Sequence, residues 1–332
     1  MERDYRLDVL RSVSMIMVIL IHVANCYCRS FGDINNLSYI FSVFINILSR
    51  ISVPIFFMIS GTLLVRKNFD KNKYLKRLFK ILIPIIIWDI IYLIWEYFYL
   101  GVTYKNLFHL LVEPYRKHLW FLYTLIILYA AQPLLSALMD YFDRNRVVRY
   151  LSLIVWVVLC NLCFIYTDLT DSLSLFCYGG YFIIGRYLYE KFGSGDKKIN
   201  NILLIVPFII VLIVDVYLSY KLSFREHMFY NVYYSYRGIF VMTLSFIAFI
   251  FVLQNMKSKK SNDFISLLCT YSFGIYLIHG IFLDITINTV GCDIISIIGI
   301  PLHSLFIFCS SLLTLMLINK IPKVGKYLST YS

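Results

Sequence analysis

The chain has 332 residues, of which 60% are hydrophobic, 18% aromatic and only 15% charged. Soluble domains average about 45–50% apolar and about 25% charged residues, so a soluble fold of this composition would expose large apolar patches. The net charge of +12 would favour nucleic acid as a partner only in a soluble protein. We therefore predict an all-α, polytopic membrane protein with one domain over 1–332, surrounded by lipid and without a nucleic-acid partner.

Ten apolar windows of membrane length follow one another along the chain. They cover about 8–28, 37–65, 79–100, 118–138, 148–167, 172–190, 201–219, 233–254, 264–287 and 295–319. The second window is too long for one straight crossing, and we expect it to bend near Pro54. A short amphipathic stretch at 103–115 precedes the fourth window.

The positions of lysine and arginine support this count of spans. If the N-terminus is cytoplasmic, every cytoplasmic loop is basic, as the positive-inside rule requires. The loop at 66–78 is the most basic of them, with Arg66, Lys67, Lys71, Lys73, Lys76 and Arg77. Ten spans and this charge pattern place both termini in the cytoplasm.

The first span contains an arginine and a histidine on one helix face. Arg11 and His22 are eleven residues apart, which is three turns plus roughly 20° at about 100° per residue. The rise of about 1.5 Å per residue separates them by about 16 Å along the helix axis. Because ionisable side chains inside a membrane usually face a polar cavity, this pair predicts a solvated channel that starts at the cytoplasmic side.

Other ionisable groups fall at a similar depth. Arg50 and His279 are each about 22 Å from the inner end of their span, close to the depth of His22, and Asp89 lies somewhat nearer the inside. Each alone is compatible with a paired or hydrogen-bonded structural residue. Their common level favours a single polar cavity.

Two features near the cytoplasmic side have both a structural and a functional interpretation. Ser60 and Gly61 allow close helix packing, or they let a ligand approach the backbone. Lys76, Arg77 and Lys80 determine topology and bind lipid headgroups, or they capture a phosphorylated donor. The chain has no GxxxxGK[ST] or GxGxxG motif, and its CxxC pair lacks a second ligand pair, so neither ATP hydrolysis nor a metal site is expected.

These residues give the chain a family resemblance. It resembles the membrane acyltransferase family 3 in the Arg11-x10-His22 pattern, in SVPIFFMISG at 52–61 and in the basic start of the third span. Two further motifs, HLWF at 118–121 and SFGIY at 272–276 followed by His279, resemble the branch that acetylates enterobacterial common antigen. The resemblance covers nearly the whole chain.

The resemblance implies a ten-helix enzyme of the plasma membrane. Such enzymes transfer an acyl group, usually acetyl from cytoplasmic acetyl-CoA, to a hydroxyl of a glycan or lipid-linked sugar. It further implies that His22 is the catalytic histidine and that Arg11 belongs to the donor site. We place Lys76, Arg77, Lys80, Ser60 and Gly61 with the donor. His118, Trp120 and Asp89 are placed on the acceptor side.

Several alternatives remain open from the sequence. His22 acts as general base on the acceptor hydroxyl, or it carries the acyl group itself. Arg50 or His279 stabilises the oxyanion. The tyrosine-rich segment at 220–236 forms an interfacial belt or an acceptor platform. The main rival function is a transporter or flippase for a polysaccharide precursor, and a non-catalytic membrane subunit is a second. A homo-oligomer is compatible with the sequence.

Overall fold

The structure is a computed structural model that describes residues 3–65, 71–101, 116–165, 174–195, 197–259, 262–292 and 294–321. All regular secondary structure within these ranges is helical. The α-helices are α1 (Tyr5–Arg29), α2 (Asn36–Arg50), α3 (Ser52–Leu64), α4 (Lys71–Trp95), α5 (Trp120–Ala130), α6 (Gln132–Arg144), α7 (Arg146–Ile165), α8 (Ser174–Phe192), α9 (Ile202–Arg225), α10 (Ile239–Asn255), α11 (Asp263–Val290) and α12 (Ser296–Ile318).

Within the part of the chain that the structure describes, six helical segments are long and apolar enough to cross a membrane. They are Tyr5–Arg29, Asn36–Leu64, Tyr74–Leu100, Ile202–Arg225, Asp263–Val290 and Ser296–Ile318. A seventh is added if Lys117–Ala130 and Gln132–Arg144, which meet at an angle of 64°, form one broken span. The all-helical membrane architecture is thus confirmed with six or seven candidate spans.

The ten predicted spans outnumber the six or seven candidate spans of the described residues. Helices α7, α8 and α10 overlap the fifth, sixth and eighth predicted windows. Helix α10 has only 17 residues, and the 19 residues of α8 contain Arg186, Glu190 and Lys191. Ten spans and cytoplasmic termini therefore stay predictions. The amphipathic stretch predicted at 103–115 lies outside the described residues.

The long second segment breaks between α2 and α3. Proline at position 54 has no N–H to donate to the carbonyl of Arg50, and its ring crowds that carbonyl. The break lies at Ile51, which ends α2 and precedes the first residue of α3. The helix is thus interrupted three residues before the proline, with Arg50 at a helix end, although α2 and α3 together still form one candidate span. A bend near Pro54 stays a prediction.

Helices α3 and α8 touch each other through glycines. A Cβ atom added at Gly61 would lie 2.1 Å from the carbonyl oxygen of Phe182, and one at Gly185 would lie 2.3 Å from that of Met58. Small residues allow such close contact between membrane helices. The close packing of α3 with α8 thus requires glycine at position 61.

The first turn of α1 joins three helices at one end of the bundle, which we call the inner end. Arg6 donates to both oxygens of Asp4 and to the carbonyls of Gly193, after α8, and Leu253, in the last turn of α10. The amide of Tyr5 donates to the carbonyl of Ser258 at 2.9 Å. These contacts hold α1 in the bundle beside α8 and α10.

The segments α1, α2–α3 and α11 form the centre of the bundle. More than half of the most apolar window of each is buried, with 56%, 61% and 61%, compared with 22% for α9. Helix α1 packs against both other segments. His22, Arg50 and His279 therefore lie on the three most enclosed spans.

Candidate active site

Three histidine side chains meet at the centre of the bundle. The ring centroids of His22 on α1 and His279 on α11 are 5.2 Å apart. The ring of His118, in a 3-10 turn before α5, lies 4.9 Å from His279 and 6.1 Å from His22. We call these residues the histidine cluster. The structure thus brings together two predicted catalytic residues and one predicted acceptor-side residue.

The ring of His279 has a defined tautomer. Its Nδ1 lies 2.5 Å from the carbonyl oxygen of Tyr276, and because a carbonyl can only accept, Nδ1 carries a proton. In the neutral ring Nε2 is then an acceptor, and it is buried without a hydrogen-bond partner among the described residues. Neutral His279 therefore cannot donate from Nε2 to an oxyanion, which disfavours one of its predicted roles.

His118 is held against α11 by two features. The hydroxyl of Tyr276 donates to the carbonyl of His118. Gly280 leaves space for the imidazole, because a Cβ at that position would lie 2.8 Å from Cε1 of His118 and 2.7 Å from the hydroxyl of Tyr92. The Nε2 atom of His118 is also buried without a partner among the described residues. Two of the three imidazoles thus keep an unpaired ring nitrogen.

An ion-pair network around Arg116 lies next to the histidine cluster, and it was not predicted from the sequence. Arg116 binds Glu96 at 3.0 Å and also pairs with Asp284 of α11. Asp284 accepts a further bond from the indole of Trp95 at 3.0 Å. This network ties the turn that carries His118 to α11 and to the end of α4. Its residues lie far apart in sequence, so no local pattern indicates it.

A cavity of about 240 Å³ opens near the inner end of α1. Arg11 and Arg77 supply cations to its wall, and Ser60 and Ser272 supply hydroxyls. The rest of the lining is mainly apolar and aromatic: Phe56, Leu63, Leu64, Phe121, Leu122, Leu125, Tyr129, Phe273 and Tyr276. We call this space the first cavity. It combines a polar cationic part with a long apolar part.

The first cavity stops one side chain short of the histidine cluster. Its lining includes Tyr276, whose ring centroid is 5.8 Å from that of His279, but it does not include His22. His22 is nevertheless half-buried rather than fully enclosed. The continuous tunnel expected from the sequence is therefore interrupted at Tyr276.

The residues predicted to hold the donor fall into two groups. Arg11, Arg77 and Ser60 line the first cavity. Lys76 and Lys80 are exposed on α4 and are not part of that lining. Gly61 is not part of it either, and it packs against α8 instead. Structural packing explains Gly61, whereas a donor role of the two lysines stays a prediction.

Arg50 lies apart from the histidine cluster in an aromatic setting. Its guanidinium lies 4.6 Å above the ring of Tyr234 and 5.1 Å above that of Tyr236, and Nε donates to Asn46 at 3.0 Å. Its two terminal nitrogens have no partner among the described residues. The ring centroids of Trp120 and Tyr236 are 5.8 Å apart, so Trp120 connects the surroundings of Arg50 to the turn that carries His118.

The tyrosine-rich segment after α9 points partly inward. Tyr234 is fully buried, and the carbonyl of Tyr236 accepts a bond from Tyr181 of α8. Tyr230, by contrast, is exposed. The inward tyrosines do not fit an interfacial belt, which faces lipid headgroups. Their rings pack around Arg50 instead.

Asp89 was expected to share the polar cavity of the histidines. It is buried, and it accepts a hydrogen bond of 2.6 Å from Tyr123 of α5. This bond joins α4 to α5, as expected for the structural interpretation of a membrane-embedded carboxylate. Asp89 lines neither the first cavity nor the described surroundings of the histidine cluster.

The histidine cluster does not have metal-site geometry. Among the described residues, no three His, Cys, Asp or Glu side chains are placed to hold a metal ion. Cys26 and Cys28, near the far end of α1, are free thiols. What the cluster offers is unpaired imidazole nitrogens beside a cavity with two cations, an arrangement suited to proton transfer on an anionic ligand.

Comparison with known proteins agrees with this chemistry. The profile of the family described as an acyltransferase domain (Acyl_transf_3) matches residues 4–320. No curated protein and no solved structure matches the chain. Because the match covers nearly the whole sequence, the chain belongs to the Acyl_transf_3 acyltransferase family.

Proposed function

We propose that this membrane acyltransferase transfers an acetyl group from acetyl-CoA to a hydroxyl of a cell-surface glycan or of its lipid-linked precursor. The donor comes from the cytoplasm, the acceptor approaches from the other face of the plasma membrane, and His22 is the catalytic base. One observation supports this proposal above all others. A cationic cavity on the Arg11 face of α1 leads toward three clustered imidazoles, two of which have an unpaired nitrogen.

The lining of the first cavity is suited to an acyl-CoA donor. Arg11 and Arg77 bind the diphosphate, because guanidinium groups pair strongly with phosphate oxygens. The apolar walls around Phe121 and Leu125 accept the pantetheine arm. The acyl thioester then passes the ring of Tyr276 to reach His22. This passage requires a side-chain rotation of the buried Tyr276, which breaks its hydrogen bond to the carbonyl of His118.

The reaction itself needs one base and one stabilised oxyanion. Neutral His22 accepts the proton of the acceptor hydroxyl while the oxygen attacks the thioester carbonyl carbon. The tetrahedral oxyanion collapses, the C–S bond breaks, and the imidazolium of His22 returns the proton to the CoA thiolate. Neutral His279 presents only an acceptor to the oxyanion. Arg50 has terminal N–H groups without a partner among the described residues, and it serves as the donor if the thioester carbonyl points away from the histidine cluster toward it. An acyl-imidazole on His22 is the alternative course.

The direct test uses purified protein in nanodiscs with isotopically labelled acetyl-CoA and a panel of saccharide acceptors. We expect mass spectrometry to find the label on an acceptor, and to find none with the His22→Ala protein. Label that appears on His22 before it appears on the acceptor selects the acyl-imidazole course. A wild-type protein that neither binds nor consumes acetyl-CoA, but moves a saccharide across vesicles, would instead support a transporter.

A further inference from the structure

A second cavity lies at the inner end of the bundle, and nothing in the proposed mechanism uses it. It measures about 230 Å³ and lies between the first turns of α1 and α11. Its lining combines two cations, a carboxylate, an aromatic ring and polar side chains: Arg3, Lys259, Asp8, Tyr5, Asn262 and Ser266. The first cavity is lined mainly by apolar residues, whereas every residue that lines this one carries a polar or charged group.

Both cavities have lining residues on α1 and on α11. Asp8 of the second cavity and Arg11 of the first are one helical turn apart on α1. Cys269 lies between them, since its thiol donates to Asp8 at 3.2 Å and accepts from Arg11 at 3.6 Å. One residue from each lining, Asp8 and Arg11, thus contacts the same thiol, which makes the two spaces neighbours.

The second cavity carries a net positive charge. Arg3 and Lys259 contribute two positive charges and Asp8 one negative charge, which leaves one positive charge in excess. Arg3 uses only Nε to bind Asp8, at 2.5 Å. Lys259 makes no hydrogen bond or ion pair with a described residue. The remaining N–H groups are suited to a phosphate monoester, and the ring of Tyr5 can stack on a purine.

We propose that the second cavity binds the ribose 3′-phosphate and the adenine of coenzyme A. This inference rests on the proposed function, in which Arg11 and Arg77 hold the diphosphate and the first cavity holds the pantetheine arm. Arg3 and Lys259 bind the 3′-phosphate, and Tyr5 stacks on the adenine. The two cavities together then bind the whole donor, from its nucleotide to its thioester.

The test compares coenzyme A with 3′-dephospho-coenzyme A, which lacks only the terminal phosphate. Binding of each is measured by calorimetry in nanodiscs of zwitterionic lipid. We expect the wild type to prefer coenzyme A by about tenfold or more, since a charge-assisted hydrogen bond contributes about 1.5–3 kcal/mol. In the Arg3→Ala/Lys259→Ala protein the two ligands should bind equally. Affinity for the dephospho ligand serves as the internal control for folding.

Two matched variants sharpen the result. Lys257→Ala removes an exposed cation two residues from Lys259 that does not line the cavity, and it should keep the tenfold preference. Lys259→Arg keeps the charge and should keep most of the preference. A double variant that still prefers coenzyme A, or that loses affinity for both ligands equally, would overturn the inference.

The outcome also separates this inference from the proposed function. If the wild type binds both ligands equally, the second cavity does not bind the 3′-phosphate, but the donor assignment stands. If it binds neither, both proposals fail. A cavity that serves anionic lipid headgroups would show no preference for coenzyme A. Anionic lipid would then raise the thermal stability of the wild type but not that of the double variant.

Discussion

Two arginines on the same helix have opposite surroundings. Arg6 is only 6% exposed and binds Asp4 and the carbonyls of Gly193 and Leu253. Arg11, five residues later, is half-buried and contacts only the sulfur of Cys269 at 3.6 Å among the described residues. Arg6 therefore has its charge satisfied within the protein. Arg11 faces the first cavity with most of its N–H groups unused.

The comparison of Arg6 with Arg11 distinguishes cations that are paired within the protein from cations that are available to bind a ligand. A buried cation without a partner costs free energy, so proteins either pair it or expose it to water or substrate. Arg6 follows the first course and holds helices together. Arg11 follows the second, as does Arg77, which lines the same cavity. Replacement of each arginine should therefore affect a different property.

The largest effect is expected from Arg6→Ala. This change leaves the Asp4 carboxylate buried without its partner and frees two carbonyls. Removal of one member of a buried ion pair typically costs about 3–5 kcal/mol. We expect a strongly lowered unfolding temperature and poor yield of folded protein. The Arg6→Lys protein should recover only part of the loss, because lysine cannot reproduce the guanidinium fork. Unfolding temperatures equal to wild type would contradict a structural role.

Arg11→Ala should instead weaken donor binding. The loss of charge-assisted hydrogen bonds of about 1.5–3 kcal/mol corresponds to a roughly 10- to 100-fold higher Kd for coenzyme A. Stability should change by less than about 0.5 kcal/mol, since Arg11 makes little contact with the protein. Calorimetry and thermal unfolding of one preparation measure both. An unchanged Kd would remove Arg11 from the donor site.

Gly280→Ala tests the placement of His118. The new methyl group would lie 2.7 Å from the Tyr92 hydroxyl and 2.8 Å from the His118 ring, so the imidazole must move. Overpacking of this kind costs about 1–3 kcal/mol, and we expect the transfer rate to fall with it. Gly179→Ala is the matched control, because its methyl group meets only Leu128, at 3.5 Å. Equal rates in the two variants would show that His118 needs no fixed position.

The smallest expected effect is the pH dependence of the stability that Asp4, the ion-pair partner of Arg6, contributes. Burial raises the pKa of Asp4, but hydrogen bonds from Arg6 and Tyr189 outweigh it and hold the pKa below its ordinary value of 3.8. The stability that this carboxylate contributes is therefore fully present above about pH 4 and is lost as pH falls through the lowered pKa. The gap in unfolding temperature between wild type and Asp4→Asn should close below about pH 4. A gap that persists in acid would contradict this assignment.

Much of the site was predictable because helical periodicity is local. The spacing of Arg11 and His22 determines that both lie on one face of α1. A similar depth in the span also predicted that His279 would lie beside His22, as it does at 5.2 Å. The helical class and the helix break at Ile51, before Pro54, follow from composition and from the missing amide of proline.

The other features of the site depend on contacts between helices. The depth of a residue along its own helix axis does not determine these contacts. Arg50 is predicted at the depth of His22, but its side chain lies on a helix face that packs against Tyr234 and Tyr236. Asp89 faces Tyr123 of α5 rather than the histidines. Tyr276 and Gly280 hold His118 in place only after α11 and the turn before α5 have packed together. The second cavity likewise needs the first turns of α1 and α11 side by side.

The most direct measurement is the transfer rate of the His22→Ala protein together with its thermal stabilisation by coenzyme A. A catalytic base contributes about 10²- to 10⁴-fold to the rate, so we expect a loss of at least about 100-fold. Stabilisation by coenzyme A should remain, because Arg11 and Arg77 are intact. A folded His22→Ala protein that transfers acetyl groups at a rate close to wild type would contradict the account.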